Sequence, residues 1–306
     1  DPLARNTVIV GIIDDGIPVA HPRFQLPPDQ GRAKTRFLAV WQQEATHESG
    51  KQPFGQEFSQ HRIEALMAEA RLGNGSAVDE DALYARFGRT DRSPKGMTHY
   101  QKSMLSRATH GAAVADIACG ADPSRRDMAE LEQRRIIAVD LPSRASIGMA
   151  GTYLELFVIH AMYRIVDLAD ALWRKNFGEP QSGQDWGFPV VINLSYGQQS
   201  GTKTGASLLE QAFQALRKNR PGGAPVRLAM PVGNDNLTRC NAGRELGRDE
   251  GLTVAWRILP EDQTSNFVEI WARVPEGVAA DALPLEIRLA PPGQDLAKAP
   301  SLLGKH

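Results

Sequence analysis

Hydrophobic and polar positions along the chain fall into three regimes. The first is a set of short runs that are almost wholly apolar: Val8-Ile9-Val10-Gly11-Ile12-Ile13, Thr35 to Trp41, Arg135 to Asp140, Pro189 to Ser195 and Val226 to Val232. Unbroken β-branched runs bounded by turn residues are the signature of strands covered on both faces, as in a parallel sheet. The second regime is helical. Leu154, Phe157, Val158, Ala161, Ile165 and Leu168 recur at i+3 and i+4 and predict a long helix over 153–173. Ala206 to Lys218 is amphipathic and closes on Pro221-Gly222-Gly223. His110 to Gly120 reads as a third helix, with small residues on most faces that imply close packing against another backbone. Strands alternating with helices predict an α/β fold, a parallel sheet with helices on both faces and right-handed crossovers.

The third regime departs from that pattern in two places. Residues 42–108 are polar, with helical spacing at Phe58, Ile63, Leu66 and Met67 and again at Leu83, Tyr84 and Phe87, broken by Gly73-Asn74-Gly75-Ser76. They predict a helical insertion with exposed loops. After about residue 250 the spacing turns to period 2: Val254, Trp256, Ile258, then Phe267, Glu269, Trp271, then Leu285, Ile287, Leu289. Such segments between Pro and Gly turns predict antiparallel strands. The expected organisation is an α/β domain over 1–250, containing the 42–108 insertion, and a C-terminal antiparallel β segment over 251–306. That segment is either a β-rich insertion or the start of a small β module. No internal repeats occur.

Composition narrows the functional classes. At 306 residues, with 42% hydrophobic and 23% charged residues, the chain has the make-up of an ordinary soluble globular protein. A formal charge of −1 supplies no field for nucleic acid or an anionic membrane, so neither is an expected partner. Arg125-Arg126 and Arg134-Arg135 are too short to change that and read as solvated helix faces. No apolar run is long enough to cross a membrane, and Asp1-Pro2-Leu3-Ala4-Arg5 is not a signal peptide. Two cysteines make neither a disulfide framework nor a zinc site, and Cys119 reads as a buried structural thiol. The histidines other than His110 lack paired metal-ligand spacing, and no EF-hand-type calcium loop is present. Compartment and oligomeric state stay undetermined at this level.

Candidate chemistry sits at element ends. Asp14 closes the first strand, His110 opens a helix and Asn234 ends a later strand in a Gly-Asn-Asp-Asn turn. At the carboxyl edge of an open α/β sheet, ligands bind and chemistry is placed. A carboxylate there can fix the tautomer of a histidine and stabilise the imidazolium formed when it takes a nucleophile's proton. An amide on a rigid turn can donate to a developing oxyanion. Taken alone, each residue has a plainer reading as a turn, a cap or a packed histidine.

Together these residues resemble the subtilisin-like serine peptidases. Ile12-Ile13-Asp14-Asp15-Gly16 with His21-Pro22 looks like that family's Asp motif, and His110-Gly111-Ala112-Ala113-Val114-Ala115 like its His motif. Ile192-Asn193-Leu194-Ser195-Tyr196-Gly197 is similar to its substrate-cleft strand, and Pro231-Val232-Gly233-Asn234 to its oxyanion-hole turn. The resemblance spans roughly residues 7–240. It implies that Asp14 orients His110, that His110 is general base and then general acid, and that Asn234 donates to the oxyanion. It also implies a peptide cleft lined by Ser195, Tyr196 and Gly197, with Gly148 to Gly151 on the other side. It implies a protein or peptide substrate and no required cofactor; calcium, which such enzymes often bind, has no supporting motif here.

The chain departs from the family pattern at Ala112, where Thr is usual, and at Asp15, where Ser or Thr is usual. The large departure is the nucleophile. Only Ser265 and Ser301 follow Asn234, and neither Gln263-Thr264-Ser265-Asn266 nor Ala299-Pro300-Ser301-Leu302 has the Gly-Thr-Ser-x-Ala-x-Pro context. The expected reading is a peptidase domain whose serine lies outside this chain. Two alternatives stand beside it: an inactive pseudo-peptidase that binds peptides, and a nucleotide-binding α/β protein, the latter lacking any G-x-G-x-x-G or P-loop.

Overall fold

The structure is a computed structural model that describes residues 2–45, 52–73, 77–87, 109–122, 124, 128–142, 145, 154–181, 183–197, 201–202, 204–234, 236–247, 249–263, 266–274, 276–279 and 285–302. It divides into two compact units, residues 1–255 and 256–306. The first is built on a six-stranded sheet. Its strands are β1 (Val8–Asp14), β4 (Phe37–Gln42), β5 (Gln56–Ser59), β6 (Arg134–Asp140), β7 (Val190–Leu194) and β8 (Val226–Ala229). The spatial order is β5-β4-β6-β1-β7-β8, parallel throughout except for β5, which pairs antiparallel with β4 at the edge. This is the expected parallel α/β sheet.

Alternate residues of each strand feed two separate cores, as the pleat requires. Ile9 and Ile13 of β1, Trp41, Ile137, Val139, Val190 and Ile192 pack on one face. That face is covered by α5 (Leu154–Phe177) and α6 (Leu208–Lys218). Ile12, Val40, Ile136 and Ala138 point the other way, against α1 (Gln60–Glu69), α2 (Glu80–Arg86) and α3 (His110–Cys119). A fourth short helix, α4 (Met128–Gln133), lies against β6. Gly11 lets α5 approach: a Cβ there would sit 3.1 Å from Ile165 and from Ile192. α6 starts on a complete capping box, with Ser207 accepting from the Glu210 N–H and Glu210 accepting from the Ser207 N–H.

Several sequence expectations change. A hairpin of β2 (Gln25–Asp29) and β3 (Arg32–Thr35), with Gln30 and Gly31 at positive φ, precedes β4 and forms its own two-stranded antiparallel sheet. Its polar, proline-containing sequence hides it. The 42–108 stretch is not purely a helical excursion. It contributes β5 to the sheet, and Phe58, Ile63, Leu66, Met67, Leu83 and Phe87 belong to the second core. Arg135 is not a solvated helix residue but a buried strand residue. Its Nε donates to the Arg36 carbonyl, and burial pushes its guanidinium down to about 10.

The second unit corrects the expectation for the C-terminal segment. Among its described residues the segments around Ile258, Phe267 to Trp271 and Leu285 to Leu289 form no strand; one isolated antiparallel bridge joins Arg288 and Ser301. Ile258, Phe267, Trp271, Leu285 and Leu289 are exposed. Period 2 marks what each segment can bury, but strand pairing needs a neighbour to supply the ladder.

Candidate active site

Because β1, β6, β7 and β8 are parallel, their carboxyl ends share one edge. Asp14, Asp140, Ser195 to Gly197 and Met230 to Asn234 follow those ends. The connections after β1 first lead to one side, to β4 and β6, and then cross to β7 on the other. That reversal opens a crevice at the end of β1, as the general rule for α/β sheets requires.

α3 arrives at this crevice by its N-terminus. Thr109 caps it, accepting from the Ala112 N–H at 3.2 Å and donating its own hydroxyl to the Gly16 carbonyl at 2.7 Å. The Gly111 N–H donates to the Asp15 carbonyl at 2.9 Å. A Cβ at Gly111 would lie 2.0 Å from that carbonyl oxygen, and one at Gly16, whose φ is +68°, would lie 2.6 Å from Thr109. These two glycines let the turn and the helix end meet backbone to backbone. At the other end of α3 the buried Arg36 guanidinium donates to the Cys119 carbonyl, which seats a cation on the negative end of the helix dipole. Arg23 pairs with Asp116 on the same helix.

The result is a contact between two residues 96 positions apart. His110 Nδ1 lies 2.7 Å from Asp14 Oδ1. The same carboxylate oxygen accepts from the Asp15 N–H at 2.8 Å. Asp14 is 5% exposed, whereas the His110 side chain is 54% exposed. Burial pushes the Asp14 carboxyl up to about 6, against the opposing pull of the His110 hydrogen bond and charge and of the Asp15 N–H. The arrangement is a shielded carboxylate that orients an imidazole whose other face reaches solvent.

The loops after β7 and β8 also meet. A Cβ at Gly197 would sit 2.4 Å from Gly233 Cα, and Gly233 has φ +104°. Asn193 Nδ2 donates to Ser195 Oγ at 3.0 Å, bracing the end of β7. Tyr196 is half-buried and lines a small recess with Leu154, Val158, Leu194, Leu209, Met230 and Glu155. Glu155 is held there by the Leu209 N–H at 2.7 Å. Asn234 lies exposed on the turn directly after Gly233. Gly148 and Gly151 lie outside the described residues, as does Ser265; Ser301 is exposed in the second unit.

Sequence reasoning passed over Asp140, which is fully buried at the end of β6 and is the register partner of Asp14. A signal was present: Ala138-Val139-Asp140 ends a strand as Ile12-Ile13-Asp14 does. Cys119 is buried, its thiol within 3.2 Å of the Ala115 carbonyl and pushed up to about 11 by burial. Among the described residues no group of three His, Cys, Asp or Glu is arranged to hold a metal ion, and no helix is long and apolar enough to cross a membrane. No protein-family model matches this chain, and no curated protein matches it.

Proposed function

We propose that this chain carries the acid–base half of a subtilisin-type serine endopeptidase and hydrolyses peptide bonds together with a serine supplied from outside it. The observation that carries the reading is the 2.7 Å contact between buried Asp14 and open His110 at the start of α3. With Nδ1 engaged by Asp14, Nε2 is the nitrogen left to take the proton of an attacking hydroxyl. His110 then returns that proton to the leaving amine as the acyl-enzyme forms, and repeats the cycle with water. Asn234, on the turn fixed by the Gly197–Gly233 contact, donates to the oxyanion. Ser195, Tyr196 and Gly197 offer an edge for an extended peptide.

A second observation supports the missing nucleophile arriving on another segment. On the α3 side of the sheet, β7 and β8 carry no helix among the described residues. Val191, Arg227 and Ala229 are exposed there, and Ile117 on α3 is 88% exposed. Their registers place Val191 beside Val10 and Arg227, and Ala229 beside Asn193, on one continuous face. Apolar surface of this kind on a core sheet is a place for a further element. The strand order argues against the nucleotide-binding alternative. Counting parallel strands in chain order it is 2-3-1-4-5, neither the dinucleotide-binding order nor the flavodoxin-like one.

The coding sequence beyond His306 is the first thing to read. A Gly-Thr-Ser-x-Ala segment is expected there. The protein containing it is expected to react with a serine-directed phosphonate, and His110→Ala to slow that labelling by about 10⁴-fold or more. Undiminished labelling in the variant removes His110 from the role. A stop codon at that point, with peptide binding and no hydrolysis, favours the peptide-binding pseudo-peptidase, with which the lack of any hydroxyl hydrogen-bonded to His110 among the described residues also agrees.

A further inference from the structure

The Asp14-Asp15-Gly16 turn is gripped from both sides. On one side is the N-terminus of α3, through Thr109 and Gly111. On the other is a single side chain, Asp140. Its Oδ1 accepts from the Gly16 N–H at 2.8 Å and its Oδ2 accepts from Gln42 Nε2 at 3.0 Å. The surrounding backbone is knitted the same way: the Leu141 N–H donates to the Asp14 carbonyl at 2.8 Å and the Gln43 N–H to the Asp140 carbonyl at 3.0 Å. The ends of β4, β6 and β1 and the start of α3 are thereby joined in one chain of hydrogen bonds. It runs from Gln42 to Asp140 to Gly16 to Thr109, next to His110.

A fully buried carboxylate is costly unless its oxygens are hydrogen-bonded. Asp140 meets that condition by holding a backbone N–H that no strand ladder uses. Gly16 sits at φ +68°, past the end of β1 and outside its ladder. If the turn pivots there, the Gly16 carbonyl leaves Thr109, the helix cap loosens and the Asp14–His110 contact opens. We propose that Asp140 is a positioning residue for the Asp14–His110 pair, acting through its hydrogen bond to the Gly16 N–H. The inference rests on the proposed acid–base role of that pair for its meaning, but its test needs no peptidase activity.

The experiment is NMR on the full chain with histidine rings labelled with ¹⁵N, alongside hydrogen exchange at the Gly16 amide. The titratable and charged groups around Asp14 among the described residues are Asp15 on its own turn, His110 on α3 and Asp140 on β6, so all spectra are compared at one pH. In Asp140→Ala the Gly16 amide is expected to exchange roughly 10- to 100-fold faster, the factor that loss of a hydrogen bond to a charged acceptor implies. The hydrogen-bonded His110 Nδ1–H signal is expected to broaden or vanish with it. Faster Gly16 exchange with an unchanged His110 signal overturns the proposal. Asp140→Asn decides the matter if the alanine variant does not fold. Its oxygen can still accept from Gly16, and its amide can donate to Gln42 Oε1, which is buried without a partner. There both Gly16 protection and the His110 signal are expected to persist. Loss of the His110 signal with Gly16 still protected shows that charge alone acts, and overturns the proposal.

Discussion

Asp14 is the residue at which stability and the proposed chemistry pull apart. Its carboxyl is pushed up from 3.8 to about 6, with burial as the largest cause. In the folded protein it therefore keeps its proton at pH values where the unfolded chain has lost it. The stabilisation from this group is fully present below about pH 4 and is lost as pH rises through about 6. The shift corresponds to about 3 kcal/mol. Asp14→Asn cannot ionise and can still accept from the Asp15 N–H. Its melting temperature is expected to overtake that of the wild type as pH is raised from 4 to 7; a constant offset across that range counts against the burial argument. The ionised form is the one that stabilises an imidazolium. In a complete peptidase kcat/KM is expected to fall below about pH 6, in the range where the protein itself grows more stable.

At the scale of elements, α3 is held at both ends by groups that no local pattern names. Its N-terminus is locked to the β1 turn by Thr109 and Gly111, and its C-terminus by Arg36 from the bend between β3 and β4. Arg36 also donates to the Arg134 carbonyl, at 3.1 Å from Nη2. Arg36→Leu fills similar space but leaves the Cys119 and Arg134 carbonyls without these donors. The expected loss is several kcal/mol, at roughly 1–3 for each buried group left unsatisfied. Urea unfolding measures it, and a loss below about 1 kcal/mol means that water or a shifted side chain replaces the guanidinium. The helix itself is legible from sequence, beginning near His110 and stopping near Gly120. The Arg36 cap is not, because residues 36 and 119 meet only after β4 has joined the sheet and α3 has packed on its face.

For the whole molecule, the uneven covering of the sheet is the feature with consequences. One face is closed by α5 and α6, while the other is closed over β4, β6 and β1 but, among the described residues, carries no helix over β7 and β8. Arg220 ties α5 to the loop after α6 through Asp170, at 2.6 Å from Nη2, so the closed face is also cross-braced. Val191 on β7 and Ile117 on α3 each leave apolar surface exposed on this unit. The 306-residue chain alone is expected to self-associate, and Ile117→Lys with Val191→Lys to reduce that in sedimentation velocity. Association that is unchanged in the double variant assigns it instead to the exposed apolar residues between Ile258 and Leu302.

The strands, the helix pattern and the residues at their ends are written in local order. A β-branched run, an i+3/i+4 repeat and a cap are properties of neighbours in the chain, so the sequence by itself determined the α/β class, β1, α3, α5 and the candidacy of Asp14 and His110. It could not determine β5, because an edge strand of four residues, Gln56–Ser59, differs from a loop only in having β4 beside it. The same reason works in reverse for residues 254–289, whose alternation promised strands; among the described residues they pair only at the isolated Arg288–Ser301 bridge. Asp140 became part of the site only when parallel pairing set it level with Asp14. Local propensity names an element from the residues within it. Pairing, burial and the meeting of side chains 96 residues apart depend on which elements become neighbours, and that was decided by the tertiary structure.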